Sequence, residues 1–153
     1  IAKLRDLAAR LKKVENLFAI GRGLNFPTAL EAALKIKEVS YIHAEGFAGG
    51  ELKHGTIALI EEGVPCLVFV GNDQEKDEIL SNAEEVKARG GYIIGVAPEN
   101  HQIFDNYLPV DDLPAVSPIL NIIPMQVLAY FLALERGLDP DKPRNLAKSV
   151  TVK

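Results

Sequence analysis

The chain opens with "IAKLRDLAARLKK", where Leu4, Leu7, Ala8 and Leu11 recur every three or four residues and lay one apolar stripe along a helix. The pattern then changes. "NLFAIGRG" is a continuous apolar run stopped by Gly21 and Gly23, as expected of a buried strand that turns sharply. From Pro27 to about His43 the helical period returns, with Pro27 suited to a first helical turn. "VPCLVFVG" at 64–71 and "YIIGVAP" at 92–98 read as further buried strands. Between them a polar amphipathic helix over 74–89 ends at Gly90-Gly91. "NYLPVD" suggests a short fourth strand, and "SPILNIIPMQVLAYFLALER" a long apolar helix over about 117–136.

Continuous apolar strands alternating with helices predict a parallel sheet covered on both faces through right-handed crossovers, a three-layer α/β/α fold. At 153 residues, with no internal repeat or low-complexity linker, residues 1–153 read as one domain. A formal charge of −4 and a pI near 5.4 disfavour nucleic acid and anionic membranes as partners. No apolar run is expected to reach the roughly 20 residues of a membrane span, and no signal peptide opens the chain. The single cysteine, Cys66, lies inside an apolar run, which points to a core residue, a reducing compartment and a cytoplasmic protein. Ile1 stands where a complete chain has Met, in mid-pattern, as in a piece of something longer.

Ligands of parallel sheets gather beyond the carboxyl ends of the strands, so "GRGLNF" is the first turn to weigh. It lacks the third glycine and the downstream acid of a dinucleotide fingerprint and reads as a tight turn. On the helix after it, Glu31, Lys35 and Glu38 fall within a ~60° arc of an otherwise largely apolar wheel. Such a seam serves either as an ordinary surface ion pair or as a carboxylate and an ammonium offered to one substrate. In the second case a low-dielectric wall would raise the carboxylate's pKa and depress that of Lys35. The next stretch, "SYIHAEGFAGGELKHGTIAL", places His43, Glu45, Glu51, Lys53 and His54 among glycines that let backbone approach a ligand. His43 and His54 lack helical ligand spacing, so no metal is expected. His54 alone suits a surface or capping role as well as proton transfer.

Two motifs, "ALEAALKIKEVSYIHAEGFAGGELKHGTIALI" and the terminal "DKPRNLAKSVTV", closely resemble the C-terminal portion of the glutamine:fructose-6-phosphate amidotransferases, or glucosamine-6-phosphate synthases. The resemblance extends from about residue 17 to nearly the end, and the motifs stand about a hundred residues apart in the order of that family. It implies the sugar-isomerase (SIS) fold, with this chain as the second of two SIS subdomains, and no cofactor. The glutaminase domain and the first SIS subdomain, which in the family holds most of the phosphate grip, have no counterpart here. In "GRGLNFPTAL" the only hydroxyl is Thr28.

By the same resemblance Glu38 is the isomerising base, Lys35 its companion in proton handling, and His54 the histidine of ring opening, contributed across a dimer interface. Lys148 of "NLAKS" would form a Schiff base with the open-chain ketose, and Ala147 and Glu38 would contact the sugar. The residue types suit the steps: a desolvated carboxylate moves a proton between C1 and C2, an imidazole opens a hemiketal, and an amine of lowered pKa holds a carbonyl as an iminium. The expected ligands are fructose 6-phosphate and glucosamine 6-phosphate, and the assembly a homodimer, which the apolar helix at 117–136 also favours. A SIS-domain deglycase or phosphosugar isomerase, or a sugar-phosphate-binding regulatory module, would carry much the same site.

Overall fold

The computed structural model describes residues 1–146. Five strands, β1 (Asn16–Gly21), β2 (His43–Ala48), β3 (Pro65–Phe69), β4 (Tyr92–Ala97) and β5 (Asn106–Pro109), form one fully parallel sheet in the order β2-β1-β3-β4-β5. Four α-helices accompany it: α1 (Ala2–Leu11), α2 (Phe26–Ser40), α3 (Lys76–Lys87) and α4 (Ser117–Glu135). The apolar runs are continuous because alternate residues serve opposite faces. Leu17, Ala19, Leu67, Phe69, Ile94 and Val96 meet α1, α2 and α4, where Leu7, Leu11, Ile36, Leu128 and Leu132 are buried. Phe18, Ile20, Cys66, Val68 and Ile93 meet α3 through Ile79, Ala83 and Val86. The three layers expected from the pattern are therefore present.

Three readings need correction. Six residues taken within a glycine-rich stretch form β2, an edge strand whose residues after Ala44 are only half-buried, so its apolar signal is weak. The second helix ends at Ser40 instead of His43, because Tyr41 turns left-handed at φ 58° while its N–H donates to the Lys37 carbonyl at 3.2 Å. Finally, a run does reach span length: Pro114–Glu135 has a mean hydropathy of 1.6 over its best window. In the fold it is the helix that closes one face of the sheet, with Ser117 and Asn121 buried against Asn25. Its outer stripe, Ile119, Ile123, Tyr130 and Leu134, is exposed.

Two glycines set how closely the helices approach. A Cβ on Gly46 of β2 would lie 2.5 Å from the carbonyl oxygen of Ala29, so α2 rests directly on that strand. A Cβ on Gly21 would lie 2.1 Å from the Asn25 carbonyl oxygen, so the turn after β1 is closed on itself.

Candidate active site

Helix α2 leaves the carboxyl end of β1 and returns to the amino end of β2, which carries its last turn to the amino edge of the sheet. There the expected seam is assembled. Lys35 Nζ donates to Glu38 Oε2 at 2.7 Å and lies 3.6 Å from Glu31 Oε1. Lys35 and Glu38 each keep about a third of their side chains exposed, at 32% and 30%. Hydrogen bonding to Glu38 raises the Lys35 pKa above its ordinary value; burial, the next largest effect, opposes it, and the charges of Glu38 and Glu31 add to the rise. The expectation of a depressed lysine is overturned: two carboxylates stabilise the ammonium more than partial desolvation penalises it.

The end of the described chain returns to this same place. Tyr41 Oη accepts the backbone N–H of Arg144 at 2.7 Å, and the Arg144 guanidinium stands 4.0 Å from the Tyr41 ring centre. Lys37, Glu38, Tyr41, Arg144, Asn145 and Leu146 line a cavity of about 240 Å³. Tyr41 and Arg144 also border a larger cavity of about 510 Å³, whose other walls include Lys12, Lys13, Glu15 and Arg136. Ala147 and Lys148 lie outside the described residues. Tyr41 and Arg144 were not singled out in the sequence, where 103 positions separate them; the one available signal was an aromatic residue at the end of the helix that carries the seam.

His54 lies elsewhere. It ends a 3-10 turn, Gly49–His54, that follows the carboxyl end of β2. Leu52 is fully buried and anchors this turn, Lys53 pairs with Glu85 of α3 at 3.0 Å, and His54 Nδ1 is 2.8 Å from Glu51 Oε2 with both side chains largely exposed. The six residues of β2 span about 16 Å, so Glu38 and His54 occupy opposite edges of the sheet within one chain. His43 opens β2 beside Asn16 Oδ1 at 3.1 Å, and Glu45 lies in mid-strand. Thus the structure brings Lys35 and Glu38 together and keeps His54 apart from them.

The turn after β1 is occupied by protein groups. Arg22 Nε donates to Glu75 Oε2 at 3.1 Å, and Asn25 is buried between Ser117 and Asn121. Thr28 is buried with no hydrogen-bond partner for its hydroxyl among the described residues. Cys66 is fully buried, and burial pushes its thiol up to about 12, which makes it a core residue and a poor nucleophile. Among the described residues no three His, Cys, Asp or Glu side chains are grouped to hold a metal ion.

A parallel sheet between helical layers, with an ionised pair at one edge and an imidazole at the other, defines a three-layer α/β protein with polar groups at both sheet edges. The SIS domain model matches residues 10–134, and the chain belongs to the SIS domain family. It is 50% identical to the glutamine–fructose-6-phosphate aminotransferase (isomerizing) of Pyrococcus horikoshii, over 98% of this chain and 26% of that protein. Its identity to the Thermococcus kodakarensis protein of the same name is 52%, over 97% of this chain and 25% of the relative. The chain therefore spans about a quarter of the length of these relatives. Among solved structures, the C-terminal domain of glucosamine-fructose-6-phosphate aminotransferase from Francisella tularensis superposes with a TM-score of 0.86 at 37% identity, covering 92% of this chain and 41% of that one. Tagatose-6-phosphate ketose/aldose isomerase from Escherichia coli, at 19% identity and a TM-score of 0.78 over 99% of this chain and 45% of its own, shares the fold.

Proposed function

We propose that this chain is the second SIS subdomain of an isomerising glutamine:fructose-6-phosphate amidotransferase, and that it carries half of the machinery that makes glucosamine 6-phosphate. The observation that carries the reading is the meeting of Glu38, paired with Lys35, and the returning tail at one cavity. Glu38 removes a proton from C1 of the fructosimine and returns it to C2, leaving an aldehyde at C1 and an amine at C2. Lys35 holds Glu38 in place through a 2.7 Å hydrogen bond, which suits a base that must be positioned against the substrate carbon. Before that proton transfer His54 opens the sugar ring, Lys148 condenses with the C2 carbonyl with release of water to hold the open chain beside Ala147, and glutamine-derived ammonia displaces the Lys148 amine from C2 to give the fructosimine. The glutaminase domain and the first SIS subdomain complete the enzyme, and the phosphate of fructose 6-phosphate is held chiefly by the latter.

The family resemblance makes His54 a contribution from a second copy, and its separation from Glu38 within one chain supports that reading, with a homodimer as the working assembly. The exposed apolar stripe of α4 is consistent with burial in the assembled enzyme. A reduced, buried Cys66 fits a cytoplasmic setting, which cell fractionation would check.

The test is made on the full-length protein, with fructose 6-phosphate and glutamine supplied and glucosamine 6-phosphate measured. Glu38→Gln should lower turnover by about 10²–10⁴-fold, the range for loss of a positioned base. Ketose-to-aldose conversion without glutamine, and no amino sugar, would overturn the reading in favour of a phosphosugar isomerase. Light scattering of the full-length protein should give the mass of a dimer, and a monomer at working concentration would remove the shared-site scheme.

A further inference from the structure

Tyr41 and Asn145 are the two non-glycine residues with positive φ among those described, at 58° and 61°. They stand on either side of a single contact. The Tyr41 hydroxyl accepts the Arg144 amide, and the Arg144 guanidinium covers the Tyr41 ring. Left-handed conformations at non-glycine residues persist where surrounding structure over-determines them, and such residues cluster at functional sites. Here both flank the cavity that Glu38 lines.

We propose that Tyr41 is a positioning residue, which latches Arg144 to the end of α2 and so fixes the point from which the terminal arm departs beside Glu38. The consequence for Lys148 rests on the functional reading above; the latch itself does not. Without it, the last described hydrogen bonds that tie the chain back to the body of the fold are at Leu138, whose amide donates to the Ala133 carbonyl at 2.9 Å, and at Arg136, whose guanidinium donates to the carbonyls of Lys12 and Val14. With it, the described chain is held at Arg144, six residues further on.

The experiment has two arms. In this chain, hydrogen exchange of the Arg144 amide should quicken by about tenfold or more in Tyr41→Phe, which keeps the ring and loses the acceptor. Tyr41→Gly keeps the left-handed turn and removes both contacts, and should behave likewise at an unchanged melting temperature. In the full-length enzyme, Tyr41→Gly and Arg144→Ala should each lower kcat for glucosamine 6-phosphate several-fold, and the double variant by no more than the worse single one. Arg144 exchange that is unchanged in both Tyr41 variants would overturn the latch. Faster exchange with undiminished kcat would overturn its positioning role. A wild-type enzyme that makes no glucosamine 6-phosphate would sink the functional reading, and Arg144 exchange alone would then decide the latch.

Discussion

At the scale of single residues, Lys35 is the group whose environment is most specific. Its ammonium touches one carboxylate at 2.7 Å and has a second at 3.6 Å. Because its pKa in the fold is raised, its contribution to stability is complete below the ordinary value of 10.5 and is lost as pH rises through the higher folded value. The pair is about one-third exposed, so that contribution is only a few tenths of a kcal/mol. NMR titration of Lys35 Nζ should therefore find a pKa above that of ordinary lysines, and Glu38→Gln should move it back down. A titration that ignores the substitution would show that the contact is not formed in solution. Cys66 provides a second check. With its thiol pushed up to about 12 and no exposed surface, it should resist alkylation at pH 8 in the folded chain and react promptly once urea unfolds it.

At the scale of elements, most of the fold was legible in the sequence because buried parallel strands leave uninterrupted apolar runs. β1, β3 and β4 are such runs, and α4 begins at Ser117 as its pattern predicts. β2 was illegible for the opposite reason: an edge strand with half-buried Glu45 and two glycines nearby carries neither a continuous run nor a clean alternation. The seam on α2 was legible because three charges at spacings of three and four need only a helix to bring them together. The latch was not, since it joins two segments that only the tertiary fold makes neighbours. Gly46 links these levels, for it lets α2 lie against β2. Gly46→Ala should lower stability by about 1–3 kcal/mol, read as a lower urea midpoint at unchanged slope. A midpoint that does not move would mean that α2 has room to retreat.

At the scale of the whole molecule, the sheet sets the spacing between the chemical groups. Glu38 sits at its amino edge, where the four helices end and the cavities bordered by Tyr41 open, and His54 stands beyond the carboxyl end of β2. No side-chain movement closes a gap set by the length of a strand. This division has a genetic reading. In a dimer that shares His54 across its interface, a Glu38→Gln chain and a His54→Asn chain each fail alone. A mixed dimer concentrates both lesions in one site and leaves the other intact. Random pairing of equal amounts makes half the dimers mixed, so co-expressing the two inactive forms should restore about a quarter of wild-type activity. Two broken alleles would then support growth on which neither suffices.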